Sequence, residues 1–314
     1  MSEFCANAKP GAKPDFLRSQ TRSTEQAVRL RNILRKRKLT TVCEQAHCPN
    51  LGNCFGDRTA AFMILGKTCT RNCRFCAVAK GVPESLDPEE PWRVAETASE
   101  LGLRHVVITS VTRDDLADRG AGQFSRSIAA VKAALPQSTV EVLTPDLGGS
   151  EELLAEVLSA RPEVFNHNLE TVPRLYESVR PGADYARSLS LLECAAQNPG
   201  RPVVKSGIMV GMGETRDEIV CLMRDLVDAG CSLLTIGQYL APSRKHRPVA
   251  RYYEPAEYDE LKAVGEDLGL QQVFAGPLVR SSFHAGEVYE ALGPTGRSSV
   301  HGDAVKRFKG GGAR

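Results

Sequence analysis

Short apolar runs alternate with longer amphipathic stretches along most of the chain. The runs are rich in Val and Ile and carry few charges, as is typical of strands buried on both faces of a sheet. They occupy residues 59–66, 105–111, 139–146, 164–170, 203–211 and 233–240. Short strands separated by helical stretches predict βαβ units and a parallel sheet.

The stretches between these runs repeat apolar residues at helical spacing. The predicted helices cover about 91–101, 122–134, 150–160, 184–197 and 214–229, and a last one covers about 255–268. The fold class is therefore α/β. Six strands are fewer than the eight of a complete barrel, and alternation alone leaves an incomplete barrel and a doubly wound open sheet as alternatives.

The N-terminal part of the chain has a different pattern. Apolar residues at helical spacing predict a helix over 24–38, with Thr24 as its cap and with Arg and Lys on its outer face. Residues 43–57 contain Pro and Gly and show no period, so they predict a loop.

Polar residues cluster where five of the predicted strands end. The clusters lie at 109–115, 144–146, 166–170, 211–215 and 238–243. Because the carboxyl ends of parallel strands meet at one edge of a sheet, we expect these clusters to converge. Five polar clusters on the same edge predict a functional site there.

Six of the ten cysteines form two groups of three. The groups are Cys43, Cys48 and Cys54, followed by Cys69, Cys73 and Cys76. A closed structural zinc site requires four nitrogen or sulfur ligands, which neither group supplies from cysteine alone. A cubane iron–sulfur cluster held by three cysteines keeps one iron open for another ligand. The spacing therefore favours two clusters, each with one iron available for chemistry.

A zinc site is the alternative for each group of cysteines. His47 is the candidate fourth ligand for the first group, and His47 or His105 for the second. The other cysteines are expected to be unliganded, and three of them lie in or beside predicted helices and strands. These four residues are Cys5, Cys194, Cys221 and Cys231.

The composition is that of an ordinary soluble domain, with 42% hydrophobic and 25% charged residues among 314. We find no apolar run of membrane-span length and no secretory signal pattern, so we expect a cytoplasmic protein without a membrane partner. In that compartment cysteines serve as metal ligands or buried thiols rather than as disulfides.

The charge is unevenly distributed. Residues 1–42 carry ten Lys and Arg against three acids, although the net charge of the whole chain is only +2. This basic arm is either a solvated segment or a docking surface for an acidic protein. Nucleic acid is not an expected partner, because the arm lacks a series of aromatic residues for base stacking.

The second cysteine group, written Cys69-x3-Cys73-x-Phe75-Cys76, resembles the signature of the radical S-adenosylmethionine superfamily. Both groups together, and much of the chain from about 40 to 285, closely resemble the lipoyl synthase family. The blocks that carry this resemblance are TVCEQAHCPNLGNCF, TCTRNCRFCAV, TSVTRDDL, EVLTPD, NHNLETV, KSGIMVGMGET, TIGQYL and RSSFHA. The resemblance implies a partial (β/α)6 barrel of the TIM type with N-terminal and C-terminal extensions.

The resemblance also implies the cofactors, which are two [4Fe-4S] clusters and S-adenosylmethionine. The second cysteine group would hold the reducing cluster, whose open iron binds S-adenosylmethionine. The first group would hold an auxiliary cluster, with a serine of the RSS segment as its fourth ligand, placed on Ser282 with Ser281 as the alternative. The residues expected to bind S-adenosylmethionine are Phe75, Glu170 and Gly211.

The implied reaction inserts two sulfur atoms, at C6 and C8 of an octanoyl chain that is amide-linked to a lysine of a lipoyl carrier domain. An unactivated CH2 group has no acidic proton, so general base catalysis cannot start this reaction and a cofactor-borne radical is needed. The implied partners are octanoylated dehydrogenase E2 subunits or glycine cleavage H protein, an electron donor such as ferredoxin or flavodoxin, and an iron–sulfur carrier protein.

The predicted domain organisation has four parts. These are a basic arm at 1–42, an auxiliary cluster loop at 43–58, the barrel at 59–275 and a C-terminal segment at 276–314 with the RSS motif and a flexible tail. Arg244, Lys245 and Arg247 form a basic run that would steer an acidic carrier domain, unless it is only a solvated face. The chain departs from the usual residues of the family at Arg119, Ala241 and Phe283.

Two other functions stay open from the sequence. One is another radical sulfur-inserting enzyme, which acts on a vitamin precursor or on tRNA. The other is a zinc-dependent binding module that uses the basic arm. Iron and sulfide content separates the module from either enzyme, and the reaction with a carrier peptide separates the two enzymes.

Overall fold

The computed structural model of the chain describes residues 13–17, 25–56 and 61–293. Cys5, the predicted cap Thr24 and the predicted tail lie outside the described residues. None of the helices in the described part of the chain has the length and apolar character that a membrane span requires.

The described residues form ten strands. They are β1 (Thr40–Thr41), β2 (Ala61–Ile64), β3 (Thr68–Cys69), β4 (Ala79–Lys80), β5 (His105–Ser110), β6 (Thr139–Leu143), β7 (Val164–Asn166), β8 (Val203–Val210), β9 (Leu233–Gln238) and β10 (Gln272–Gly276). β3 pairs only with β4, whereas the other eight form one sheet in the order β1-β2-β5-β6-β7-β8-β9-β10. All pairs in this sheet are parallel except β1 with β2.

The same residues form eleven α-helices. They are α1 (Glu25–Lys36), α2 (Val42–Gln45), α3 (Leu51–Gly56), α4 (Glu90–Leu101), α5 (Ala121–Ala134), α6 (Glu151–Ser159), α7 (Tyr176–Val179), α8 (Tyr185–Ala196), α9 (Arg216–Asp228), α10 (Pro255–Leu268) and α11 (Ala285–Ala291). The buried faces of α4, α5, α6, α8, α9 and α10 pack with the outer face of the sheet in one continuous core.

The strand order decides between the two alternatives that the sequence left open. Strands follow one another in the sheet in the order of the chain, without the reversal that defines a doubly wound sheet. The edge strands β1 and β10 do not pair with each other, so the sheet stays open. The six predicted strands are confirmed as β2 and β5 to β9, and the fold is a partial α/β barrel.

Two local predictions were wrong. The predicted loop at 43–57 contains the short helices α2 and α3, and the hydroxyl of Thr41 caps α2 by accepting the N–H of Glu44. The sequence analysis also missed β10, because its apolar residues are few and a Gly-Pro pair follows them. This strand forms by parallel pairing with β9 over five residue pairs.

The C-terminal segment fills the inner side of the sheet. Val288 of α11 packs against residues at the starts of three strands, Val164, Val203 and Leu233. Above this floor, a Cβ atom at Gly207 would lie 2.8 Å from Ser281 Oγ, and one at Gly237 would overlap the carbonyl of Val279. Glycine on β8 and β9 therefore provides the space through which residues 278–283 cross the barrel.

A charged layer lies between the floor and this crossing segment. Lys205 is fully buried and donates to both carboxylate oxygens of Glu141, at 2.9 and 3.2 Å. His105 and Asn166 also contact the same carboxylate. Burial raises the pKa of Glu141, but the positive charges of Lys205 and His105 outweigh it and lower that pKa to about 2.

Lys205→Met is expected to destabilise the protein by about 3–5 kcal/mol at neutral pH, because it leaves a buried carboxylate without its cation. The pKa of Glu141 is lowered on folding, so its pairing stabilises the fold fully above about pH 4.5 and loses this effect as the pH falls towards 2. The difference between variant and wild type should therefore shrink over that range, as measured by urea unfolding.

The matched control for this measurement is Arg216→Met. Arg216 forms a pair with Glu260 at 3.7 Å in which both side chains are more than half exposed. An exposed pair contributes about 1 kcal/mol or less, so this variant should unfold nearly as the wild type does. Equal losses in the two variants would contradict the role given to the buried pair.

Candidate active site

Both cysteine groups line a single cavity of about 550 Å³ at the carboxyl edge of the sheet. All six cysteines contribute to its wall, as do the ends of β5 to β9 and the segment 279–283. The five predicted polar clusters were expected to meet at this edge, and four of them supply residues that line the cavity. These are Thr109, Thr144, Asn168 and Glu170 among others, together with Ala241 and Pro242.

The first cysteine group is positioned by short local structure and by one distant contact. Cys43 lies in α2, Cys54 lies in α3, and the N–H of Cys48 between them donates to the carbonyl of Cys43 at 3.0 Å. The side chain of Asn50 donates to the carbonyl of Leu278 at 2.6 Å. This loop is thereby joined to the C-terminal segment that crosses the barrel.

The second cysteine group lies in the loop between β3 and β4. Cys69 ends β3, and parallel pairing of β3 with β4 closes the loop that contains Cys73 and Cys76. The N–H of Thr70 donates to the carbonyl of Thr112, and the N–H of Arg74 donates to the carbonyl of Val179. These two bonds tie the loop to the ends of neighbouring elements.

Backbone N–H groups point at the sulfur atoms. Cys69 Sγ accepts from the N–H groups of Arg71 and Thr112, at 3.5 and 3.4 Å. Burial raises the pKa of Cys43 and of Cys76 to about 11 each, while N–H groups of Ala61 and Val78 act in the opposite direction. Such N–H···S bonds stabilise thiolates and tune iron–sulfur clusters, so this donor set fits that cofactor.

The arrangement of donors differs from that of a mononuclear metal site. In the described part of the chain, no group of three or more His, Cys, Asp or Glu side chains is compact enough to hold one metal ion. A tetrahedral zinc site requires four ligands around a single point. A cluster takes each cysteine on a different iron, so it requires separated thiolates that face one space.

The two serines of the RSS motif both line the cavity but differ in their contacts. The side-chain amide nitrogen of Asn168 lies 2.7 Å from Ser281 Oγ, to which it donates. The amide oxygen of Asn168 lies 3.0 Å from the same hydroxyl. Ser282 makes no hydrogen bond from its side chain to any other described residue. Its hydroxyl is therefore the one that is available to a ligand.

Similarity to known proteins agrees with this site. The profile of the Radical SAM superfamily matches residues 63–226. A lipoyl synthase from Caldanaerobacter subterraneus subsp. tengcongensis is 55% identical over 87% of this chain and 95% of that protein. A lipoyl synthase from Methylococcus capsulatus is 51% identical over 93% of this chain and 92% of that protein.

The chain belongs to the lipoyl synthase family. Its fold also resembles Streptococcus suis SuiB bound to S-adenosylmethionine, with a TM-score of 0.52 at 12% identity over 73% of this chain and 53% of that one. The [FeFe]-hydrogenase maturase HydG gives a TM-score of 0.54 at 16% identity over 67% and 50% of the two chains. These two likenesses concern the fold alone, and the cofactors of the family are S-adenosylmethionine and [4Fe-4S] clusters.

Two of the three residues predicted to bind S-adenosylmethionine line the cavity of this lipoyl synthase homologue, namely Phe75 and Glu170. Glu170 has a positive φ of 66°, and its N–H donates to the carbonyl of Gly207 at 2.9 Å. Burial raises the pKa of Glu170, and the nearby Arg180 opposes that shift. The carboxylate also accepts from the side chain of Asn168 at 3.1 Å.

The third predicted residue, Gly211, does not line the cavity. Its N–H donates to the carboxylate of Glu214, which also accepts from Met212 N–H and from the hydroxyl of Tyr253. A Cβ at Gly211, whose φ is 101°, would overlap the side chain of Gln238. The geometry therefore explains this glycine by packing and does not support a contact with the cofactor.

Sequence reasoning missed two arginines at the cavity, Arg180 and Arg280. The guanidinium of Arg180 donates to the carbonyls of Asn168 and Leu169. Burial raises the pKa of Cys73, and the positive charge of Arg180 opposes that shift. Arg280 lies near Cys48. Burial raises the pKa of Cys48, and the positive charge of Arg280 opposes that shift. Arg280 adjoins the serines of the RSS motif, which is a signal that the sequence carried.

Arg71, between Cys69 and Cys73, clamps the loop of the second cysteine group to the sheet. Its guanidinium donates to Asp114 at 2.7 and 2.9 Å and to Asp146 at 2.8 and 2.7 Å. Burial raises the pKa of Asp146, but Arg71 outweighs it, so that pKa is strongly lowered. Two of the predicted polar clusters are thus explained by this clamp.

Arg119 adds a second cation at Asp114. Its φ of 48° lies in the left-handed region, which favours glycine over residues with a side chain. Both members of the Arg119–Asp114 pair are about one-third exposed, so the pair contributes about 1 kcal/mol or less. Arg119→Gly therefore offers a matched comparison for a substitution of Arg71.

Arg71→Gln is expected to loosen the loop 69–76, because it removes bidentate ion pairs to two carboxylates. Amide hydrogen exchange in this loop should become at least about tenfold faster, which corresponds to about 1.4 kcal/mol of local stability. Arg119→Gly should leave the same amides unchanged, since the lost ion pair is offset by relief of backbone strain. Equal acceleration in both variants would contradict the clamp.

Proposed function

We propose that this chain is a lipoyl synthase that inserts two sulfur atoms at C6 and C8 of an octanoyl chain held by a lysine of a lipoyl carrier domain. The observation that carries the proposal is that both cysteine groups face one cavity. The chain belongs to a family with this activity, and it aligns with most of the length of its relatives.

The site residues divide between two clusters. One set holds the reducing cluster, and the other holds the auxiliary cluster with Ser282 as its oxygen ligand. The first set is Cys69, Cys73 and Cys76, and the second is Cys43, Cys48 and Cys54. The unpaired hydroxyl of Ser282 favours Ser282 as the oxygen ligand over Ser281, whose hydroxyl is hydrogen-bonded to Asn168. An oxygen ligand binds iron more weakly than a fourth thiolate and is more readily displaced.

When bound, the reducing cluster and S-adenosylmethionine supply a 5′-deoxyadenosyl radical by one-electron cleavage of a C–S bond, and the auxiliary cluster supplies sulfur. The chain's own task is to aim and shield this chemistry. Glu170 is suited to bind the amine or the ribose of S-adenosylmethionine, and Arg180 is suited to its carboxylate. Phe75 provides an apolar surface beside them.

Apolar side chains line the rest of the cavity and exclude water. They come from β2, from β6, from the loop after β9 and from the segment after β10, and they suit an octanoyl chain. These residues include Met63, Leu143, Leu240 and Val279. Because the two cysteine groups lie on the same space, an acyl chain placed there is within reach of both the radical source and the sulfur source.

The proposal extends to partners and organisation. The substrate is an octanoylated carrier domain of an E2 subunit or of H protein, and an iron–sulfur carrier protein rebuilds the auxiliary cluster. A cytoplasmic location and a reduced ferredoxin or flavodoxin complete the scheme. We also propose the division into an arm at 1–42, a cluster loop at 43–58, a barrel at 59–275 and a C-terminal segment at 276–314.

Anaerobic reaction with S-adenosylmethionine, dithionite and an octanoylated carrier peptide is expected to give 5′-deoxyadenosine and a peptide that carries two added sulfur atoms. Mass spectrometry of the peptide measures the result. The protein should also be brown and contain about eight irons with matching sulfide, as two cubane clusters require. A product without sulfur, or colourless protein with zinc, would refute the proposal.

The cysteine groups can be tested separately. Cys73→Ala is expected to abolish cleavage of S-adenosylmethionine, because it removes a ligand of the reducing cluster. Cys48→Ala should abolish sulfur insertion and retain part of the cleavage, because it removes a ligand of the auxiliary cluster. Quantification of 5′-deoxyadenosine and of thiolated peptide checks both, and the opposite pattern would reverse the assignment.

The two serines give a matched pair within the same experiment. Ser282→Ala should behave like Cys48→Ala, whereas Ser281→Ala should keep sulfur insertion, since it loses only a hydrogen bond to Asn168. The reverse result would move the oxygen ligand to Ser281.

A further inference from the structure

An exposed basic surface lies on the outer side of the loop that carries the second cysteine group. It consists of Arg74, Arg244 and Lys245, which are all exposed. Arg74 lies between Cys73 and Cys76, and the other two lie in the loop after β9. We call these three residues the basic patch.

The two parts of the patch are held together by hydrogen bonds. The N–H of Arg247 donates to the carbonyl of Arg74 at 2.9 Å. Ser243 shapes the second loop, because its hydroxyl accepts the N–H of Lys245 and contacts Nδ1 of His246. These bonds hold the two loops that carry the patch next to each other.

His246 connects the patch to the cysteine group. Its Nε2 lies 3.2 Å from the carbonyl oxygen of Cys76. A carbonyl only accepts hydrogen bonds, so Nε2 is the donor in this contact. Lys245 is thus adjacent in sequence to a residue in direct contact with a proposed ligand of the reducing cluster.

The positive charge of the patch is not neutralised within the chain. None of the described carboxylates forms an ion pair with Arg74, Arg244 or Lys245. Additional cations lie nearby, since burial and the charges of Arg174 and Arg74 lower the pKa of Arg247. Uncompensated like charges destabilise a fold, which makes them candidates for binding an acidic partner.

The patch lies outside the cavity. Cys73, Phe75 and Cys76 line the cavity, and so do Ala241 and Pro242. The three residues of the patch do not. They occupy the other side of the same wall, so a partner bound there contacts the wall beside the reducing cluster and leaves the cavity free for an acyl chain.

We infer that the basic patch is the docking surface for the protein that reduces this enzyme, a small one-electron carrier with an acidic surface around its flavin or iron–sulfur centre. This inference rests on the proposed function only through the reducing cluster. One electron passes from the reduced donor to that cluster, and the donor is left oxidised by one electron. The sequence had suggested an acidic carrier domain as the partner of Arg244, Lys245 and Arg247, unless they form only a solvated face. The position of the patch outside the cavity favours the electron donor.

The test measures cluster reduction by a purified acidic flavodoxin, with stopped-flow absorbance, in wild-type holoenzyme and in the double variant Arg244→Glu/Lys245→Glu. The second-order rate constant at low ionic strength should fall by about tenfold or more in the variant. Salt should slow the reaction of the wild type steeply and that of the variant only weakly. Reduction by dithionite should be equal in both proteins.

The matched control is Arg104→Glu/Arg201→Glu, which makes the same change of charge at two exposed arginines. These precede β5 and β8, at the opposite edge of the sheet. This control should react with the flavodoxin as the wild type does. If it slows as much as the patch variant, the effect is one of net charge and the docking surface is wrong.

A second variant and a second measurement separate the remaining outcomes. If the glutamate variant contains less iron than the wild type, Arg244→Ala/Lys245→Ala replaces it, with a smaller loss of rate expected. An unchanged flavodoxin rate in either variant overturns the inference. A higher KM for octanoylated carrier protein with dithionite as reductant, at an unchanged flavodoxin rate, assigns the patch to the carrier. Cluster reduction is measured before any sulfur transfer, so this result is independent of the proposed product.

Discussion

The ion pairs of Arg71 with Asp114 and Asp146 are the interaction on which the arrangement of the site depends. The loop between β3 and β4 has only a two-residue parallel pairing of its own, which is too little to fix three thiolates. Arg71 joins this loop to the polypeptide after β5 and after β6 with four hydrogen bonds. The carboxyl edge of the sheet thereby determines where the second cysteine group lies, and the barrel rather than the loop supplies the rigidity.

Much of the fold followed from the sequence because its signals are local. The six central strands are short runs of Val and Ile, and the six helices between and after them have regular apolar spacing, so both are visible without tertiary contacts. β10 and the helices α2 and α3 were missed because their stability comes from outside their own residues. β10 depends on pairing with β9, and α2 depends on a cap by Thr41 at the start of a short irregular stretch.

The site was predictable to the extent that its chemistry is written in residue type and spacing. The six cysteines and the pair of serines are recognisable as site candidates by residue type and spacing, whereas the role of Gly211 is not. A glycine in a strand-to-helix turn permits the approach of a ligand or of a side chain equally well, and here the side chain of Gln238 occupies the space. Arg180 was missed because its position beside Cys73 arises only when distant elements pack together.

The contact between Asn50 and Leu278 joins residues that are 228 positions apart. During synthesis the cysteines of the first group are made long before the segment 279–283 that lines the same cavity. The second group is likewise joined to residues made much later, since the N–H of Arg247 donates to the carbonyl of Arg74 at 2.9 Å. The surroundings of both cysteine groups are therefore assembled from distant parts of the chain, and neither group has its full set of contacts until the polypeptide after β9 has been made.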